Sequence, residues 1–307
     1  MKKLEDIRIL VVGDIMLDKY VMGEVERISP EAPVPIVKVL EEYHTLGGCG
    51  NVVRNIREIG PKVDCLASIG ADRNGQIVID ELDKINIISK LITDSKVTIV
   101  KERVIADERK IQMIRVDREC IAPIDHEKAI AALKEVADGY SLEGHPLKYD
   151  IIVVSDYAKG MITNKLMKYL NKLDTRIIVD PKPQHKNIYG FPFMITPNEK
   201  ELETMGGATE LILNGCRYVL ETKGQRGMSI YDESQSWDIE AEPVEVYNVS
   251  GAGDTVVAVM AICISMGYSV VESATIANKC AGYVVTQSGT SVVPKNIFMD
   301  NLDVYYT

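Results

Sequence analysis

The chain of 307 residues lacks most of the patterns that announce a function outright. Its six cysteines include no Cys-x-x-Cys pair, and its four histidines show no metal-ligand spacing, which leaves a zinc site or a redox dithiol unsupported. The cysteines, at 49, 65, 120, 216, 263 and 280, are scattered, several in apolar segments. Those in apolar segments read as buried thiols, and we expect a reducing, cytoplasmic setting. No Gly-x-x-x-x-Gly-Lys-Ser/Thr occurs, so a P-loop is excluded by pattern. Gly48-Cys49-Gly50 opens like a dinucleotide fingerprint but meets Val53 where the third glycine belongs. The net charge of −10 provides no domain-wide basic surface for nucleic acid. No apolar run is long enough to cross a membrane, and the opening Met-Lys-Lys-Leu-Glu-Asp has no apolar signal core, so we expect neither a span nor a secretion signal. Internal repeats, low-complexity segments and charged tails are absent.

What is present is an ordinary globular composition, 46% hydrophobic and 26% charged, enough for an ample core. Arg8–Gly13 is a continuous apolar run ending in Gly-Asp, the mark of a parallel strand buried on both faces. Val63–Ile69, Asp150–Ser155, Arg176–Asp180, Phe193–Thr196, Tyr218–Thr222 and Met228–Tyr231 read as further strands. Helical spacing at Asn51–Ile59, His126–Asp138, Asn164–Leu173, Gly253–Met266 and Val270–Ser288 alternates with them. The alternation predicts an α/β fold, a mostly parallel sheet with helices on both faces. Two segments break the rhythm. Val21–Val39 holds Pro30, Pro33 and Pro35 and reads as an edge strand. Val97–Ala106 and Lys110–Asp117 alternate polar and apolar residues around Asp107-Glu108-Arg109, as a hairpin does. We expect one domain over residues 1–307, with a small β lid from about 20–40 and 97–117 inserted in it.

The chemistry concentrates at Gly251-Ala252-Gly253-Asp254, which opens an apolar helix. Small residues at a helix mouth expose N–H groups that suit a phosphate, and a carboxylate beside them can take a proton from a hydroxyl. Asp14 and Asp18 follow the first strand, where a doubly wound sheet forms its crevice. Gly47 and Gly48 allow close backbone approach, and Asn51 can both donate and accept. Asn198 and Glu201 begin a helix after Pro197 and offer the oxygen ligands that Mg²⁺ prefers. Basic residues recur at strand ends, in Lys159 and Lys182, and in the lid hairpin, in Arg103 and Arg115.

Gly-Ala-Gly-Asp resembles the signature of the PfkB/ribokinase family of sugar kinases. Gly47-Gly48 with Asn51 is similar to that family's first signature, and Asn198 with Glu201 to its Asn-x-x-Glu motif. Gly13–Asp18, Arg27–Pro35, Ser155–Gly160, Asp180–Lys182 and Thr196–Asn198 carry the likeness over nearly the whole chain, most closely toward its heptose 7-phosphate kinases. The resemblance implies a ribokinase-like fold, ATP as co-substrate and Mg²⁺, with D-glycero-β-D-manno-heptose 7-phosphate phosphorylated at its anomeric hydroxyl. Asp254 would be the base, with Gly251, Ala252 and Gly253 holding the transferred group. Asp14, Asp18, Gly47, Gly48, Asn51, Arg103, Lys159 and Lys182 would bind the sugar phosphate. Asn198, Glu201, Thr222, Lys223, Gly224, Gly227 and Asn278 would bind ATP, with Ala277, Ala281 and Gly282 packing the adenine. Asn198 and Glu201 would organise the metal through water. A homodimer through the lid is implied too. An adenylyltransferase half, found in bifunctional members, is expected to be absent. Another sugar, or a sugar-phosphate sensor without catalysis, is the alternative. Two departures stand out. Asn248 replaces the aspartate that begins the signature, which predicts weaker metal affinity. Residues 202–221 are shorter than in the heptose kinases by roughly a helix, which would expose the nucleotide side.

Overall fold

The computed structural model describes residues 1–94, 96–106, 111–137, 149–287 and 289–303; Asp107-Glu108-Arg109, expected as a turn, lies outside them. The first part of the chain runs β1 (Arg8–Gly13), β2 (Ile15–Ile28), β3 (Pro35–Gly48), α1 (Cys49–Ile59), β4 (Lys62–Gly70), α2 (Arg73–Lys84) and β5 (Ile88–Asp94). It continues with β6 (Val100–Ala106), β7 (Ile111–Arg118), α3 (His126–Ala137), β8 (Ile151–Ser155), α4 (Asn164–Leu170), β9 (Arg176–Asp180) and β10 (Met194–Ile195). It ends with α5 (Glu199–Thr204), α6 (Ala208–Leu213), β11 (Tyr218–Thr222), β12 (Met228–Tyr231), β13 (Ser236–Ile239), α7 (Ala252–Met266), α8 (Val270–Val285) and α9 (Lys295–Asp303).

Nine strands form one sheet in the order β13-β12-β11-β10-β9-β8-β1-β4-β5. The seven from β11 to β5 are parallel, and β12 and β13 close one edge antiparallel. β1 shows why its sequence has no polar alternation. Ile9 and Val11 face one core layer, Leu10 and Val12 the other, and all four are fully buried. α1, α2, α7, α8 and α9 cover the first face; α3, α4, α5 and α6 cover the second. α7 is apolar nearly all round because it packs between α1 and α8 as well as on the sheet.

A second sheet, β3-β2-β6-β7, stands over the carboxyl ends of the parallel strands. Here the edge-strand reading of 21–39 holds for its end in β3, an edge of this sheet, but not for its start in β2, which lies between β3 and β6. The segment belongs to two long antiparallel strands, β2 and β3, and its prolines mark the turn between them. Pro30 and Pro33 lie in that turn, which Ser29 N–H closes onto the Val34 carbonyl at 2.8 Å, and Pro35 is the first residue of β3. A proline at a strand's first residue leaves the ladder whole. β6 joins β2 in parallel and pairs with β7 antiparallel, setting Arg103 opposite Arg115. The short segment 202–221 is a working crossover: α5 and α6 bury Leu202, Met205 and Leu211 on the second face and deliver the chain to β11. Leu213 and the nearby Phe191 stay exposed.

Candidate active site

α7 begins at Gly251, held at φ +85°, a region that a side chain makes costly. A Cβ there would also sit 2.8 Å from Asn51 Nδ2. This left-handed cap turns the chain so that Asp254, in the first turn, points into the fold. Its Oδ2 accepts from Asn51 Nδ2 at 2.9 Å and its Oδ1 from the Tyr157 hydroxyl at 2.8 Å. Burial pushes its carboxyl up from 3.8 to about 6; Asn51 and Tyr157 pull down, Asp18 pushes up and Lys101 pulls down. The group is therefore ionised at neutral pH yet basic enough to accept a proton. A methyl group at Gly253 would meet no protein atom within 4 Å, so the space before that residue is open. The Ala252 N–H, expected as an anion donor, is turned toward the Val249 carbonyl at 3.4 Å.

Asp254 lines a cleft of about 170 Å³ together with Gly251, Gly253, Tyr157, Asp180, Lys182, Thr196, Asn198, Glu201 and Thr222. Asn198 and Glu201 form a reciprocal cap on α5, each side chain accepting from the other's backbone N–H. Glu201 also pairs with Lys182. Asp180 is buried deep enough, beside Asp254, to lie well above the usual carboxylate range.

The lid supplies the other wall. Arg103 Nη1 bonds Asp18 Oδ1 at 2.6 Å and lies over the Tyr20 ring. Gly47 lets β3 press against that carboxylate, since a Cβ there would be 2.3 Å from Asp18 Oδ2; a Cβ at Gly48 would be as close to the Asp14 backbone carbonyl. Lys101, two residues before Arg103 and so on the same face of β6, lies 5.4 Å from the centre of the Tyr157 ring. Lys182 lies 5.5 Å from it. Asp14 holds the loop that carries Tyr157: its two oxygens accept from the N–H groups of Tyr157, Lys159 and Met161 at 2.9, 3.0 and 2.9 Å. Lys159 turns away to Glu119, at 2.7 Å.

Beyond Gly253 the cleft opens on a larger pocket of about 820 Å³. Thr222, Gly224, Gly227, Ala252, Asn278, Ala281 and Gly282 line it with Val244, Val246, Val249 and Val256. Four residues expected on the ATP side do not: Asn198 and Glu201 line the smaller cleft, Lys223 is drawn to Ser229, Glu221 and Asp238, and Ala277 is buried in the core on α8. Asn278 Nδ2 donates to the Glu240 carbonyl at 2.8 Å, which leaves its Oδ1 as an acceptor. Asn248 uses its Oδ1 on the Ser250 N–H at 2.9 Å, a turn just before α7. Sequence reasoning missed Tyr157, Lys101 and Asp180 as site residues. Each had a signal: Tyr157 and Asp180 lie in Ser155–Gly160 and Asp180–Lys182, stretches that carry the family likeness, and Lys101 has the two-residue spacing from Arg103.

A buried proton acceptor at a helix mouth, with a small polar cleft on one side and a large apolar pocket on the other, is the layout of a small-molecule kinase of ribokinase-like fold. The chain belongs to the pfkB family of carbohydrate kinases, which matches residues 6–296. It is similar to bifunctional protein HldE of Rhodospirillum rubrum, 38% identical over 311 residues, covering 95% of this chain and 61% of that protein. HldE of Desulfatibacillum aliphaticivorans is 35% identical over 306 residues, covering 93% and 61%. The chain thus spans about three-fifths of the length of these relatives. Among solved structures, phosphofructokinase-2 from Escherichia coli in complex with potassium superposes with a TM-score of 0.80 at 18% identity, covering 98% of this chain and 99% of that one. Ribokinase from Thermotoga maritima does so with 0.73 at 18% identity, covering 97% and 99%. At that identity the likeness speaks for the fold.

Proposed function

We propose that the protein transfers the terminal phosphoryl group of ATP to the anomeric hydroxyl of D-glycero-β-D-manno-heptose 7-phosphate, giving the 1,7-bisphosphate. The observation that carries the reading is the position of Asp254 where two spaces meet: Gly253 and Thr222 line both the cleft and the larger pocket. A sugar hydroxyl in the cleft gives its proton to Asp254 as its oxygen attacks the γ-phosphorus, and ADP departs into the pocket. Phosphoryl transfer asks mainly for positioning and charge stabilisation, which the open N–H end of α7 supplies at Gly253. The base of ATP lies among Val244, Val246, Val249 and Ala281, with its phosphates toward Thr222, Gly224 and Gly227.

Mg²⁺ fits this donor set as a hydrated ion. Among the described residues no group of three acidic, histidine or cysteine side chains is placed to cage a metal. Glu201 is already held by Lys182 and the Asn198 N–H, which suits it to fix a metal-bound water together with Asn198. When bound, the ion offsets charge on the phosphates.

The choice of a phosphorylated sugar rests on the cations above the cleft, Lys101, Arg103 and Lys182, and is supported by the HldE relatives. Arg is suited to two-pronged phosphate contact. Asp14, Asp18 and Asn51 fall to the sugar side. We further propose a homodimer through the lid, which leaves Val39, Leu40, Tyr43 and Ile114 exposed. One domain with an inserted lid and a cytoplasmic setting, in keeping with six free thiols, complete the reading. Incubation with ATP and a panel of sugars and sugar phosphates, followed by ADP release, tests it. Heptose 7-phosphate should be turned over far better than the unphosphorylated heptose. Equal turnover of the two would remove the substrate assignment.

A further inference from the structure

Two groups hold the Asp254 carboxylate, Asn51 and Tyr157, and only Asn51 was expected as a site residue. We propose that Tyr157 is the positioning residue of the base: its hydroxyl fixes the orientation of the Asp254 carboxylate.

The loop carrying Tyr157 is held from several sides. Asp14 accepts its N–H groups at 157, 159 and 161, and Asp156 accepts the Ala158 N–H at 2.7 Å. Ala158 is kept at φ +54°, a strained setting that persists only where the surroundings over-determine it. The ring is flanked by Lys101 from β6 and Lys182 beyond β9. A hydroxyl fixed this firmly does not follow the carboxylate; the carboxylate follows it. Burial and the Asp254 charge push the phenol far above its ordinary range, so it remains a donor at every working pH.

A carboxylate has about four lone-pair sites. Tyr157 takes one on Oδ1 and Asn51 one on Oδ2, which sets the plane of the group and leaves a site on each oxygen for a substrate hydroxyl. A donor to the charged form also opposes the effect of burial. The other groups facing Asp254 do not cancel this. Asp18 from β2 disfavours its charge and Lys101 favours it; Asp180 at the end of β9 is itself pushed well up by burial and by the Asp254 charge, and the Cys49 thiol of α1 is pushed up by burial. Without the Tyr157 hydroxyl the carboxyl would hold its proton into the neutral range, where it could not act as a base.

The inference rests on Asp254 being the base, so its test is not turnover alone. The protein labelled with ¹³C-carboxyl aspartate, with Asp254→Asn to assign the signal, is titrated in three forms: wild type, Tyr157→Phe, and 3-fluorotyrosine placed at 157 only. Tyr157→Phe should raise the Asp254 midpoint by roughly one pH unit, the size expected for one hydrogen bond to a charged group. The fluorinated phenol, a more acidic donor that keeps the ring in place, should lower it. The acidic limb of kcat/KM with ATP and heptose 7-phosphate should move the same way in each case. A merely structural role would not shift the two proteins in opposite directions. An Asp254 midpoint unmoved by fluorination overturns the proposal, whatever Tyr157→Phe does to folding. Opposite shifts in a protein that turns over no sugar phosphate uphold the positioning role and remove the substrate reading instead.

Discussion

At neutral pH Asp254 is a charge in a place that disfavours charge, and replacing it with asparagine should stabilise the protein while stopping the reaction. Its carboxyl is raised from 3.8 to about 6, first by burial. Below pH 3.8 the group is protonated in the folded and the unfolded chain alike, and it costs nothing. Between 3.8 and 6 the unfolded chain ionises first, so a penalty grows; above 6 the penalty is complete. About two pH units correspond to about 3 kcal/mol. Asp254→Asn removes the charge; its Oδ1 can accept from Asn51 and its N–H can donate to the Tyr157 oxygen, but the charge-assisted bond from the phenol is lost, at about 1 kcal/mol. The net gain should be about 2 kcal/mol at pH 8, vanishing or turning to a slight loss at pH 4. The same substitution should lower kcat by roughly 10²–10⁴-fold with little change in ATP or sugar binding, because the base acts mainly in the transition state. Urea unfolding at pH 4, 6 and 8, beside a coupled ADP assay, reads both effects. A variant less stable than the wild type at all three values, or one that keeps more than about a tenth of its activity, would refute the reasoning.

Three further outcomes follow from the geometry. Lys101→Met should raise KM for the sugar phosphate and spare that for ATP, costing about ten- to a hundredfold in kcat/KM as one charge-assisted contact is lost; an unchanged KM would return Lys101 to the lid surface. Gly251→Ala should cost about 1–3 kcal/mol in chemical unfolding, from the left-handed backbone and the crowding of Asn51, and should depress kcat as Asn51 is pushed off Asp254; wild-type stability with wild-type kcat would contradict the cap geometry. Sedimentation at micromolar concentration should show a dimer that Leu40→Glu dissociates, and a fully active wild-type monomer would count against the lid as an interface.

Much of the framework was legible because its signals are local. Arg8–Gly13 has no polar residue after Arg8, and only a strand covered on both faces uses such a run. The Val21–Val39 segment, expected as one edge strand because of its three prolines, is parts of two strands, with two prolines in the turn between them and one at a strand start. α2, β5, α6, β13 and α9 have no counterpart in the sequence reading: α6 and β13 are short, and α2 mixes polar and apolar residues over twelve positions. In the site, Gly251–Asp254 announced itself through its spacing. Charge was easy to count, but partners were not: Arg103, Lys159 and Lys182 each face a carboxylate brought from elsewhere in the chain, Asp18, Glu119 and Glu201. Tyr157 lies in a stretch that carries the family likeness, but its role stayed hidden because it is a single hydroxyl reaching a residue 97 positions away.

The bond from Asn51 to Asp254 joins residues 203 positions apart. Closing so wide a loop adds little to the equilibrium cost, which grows only with the logarithm of its length, but it places the pairing late on the way to the native state. The only tryptophan, Trp237, lies on β13, in an antiparallel hairpin with β12 whose strands are near neighbours in sequence. On refolding from urea, tryptophan emission should thus recover before phosphoryl transfer does. The base would exist as a base only after the first and last thirds of the chain have met.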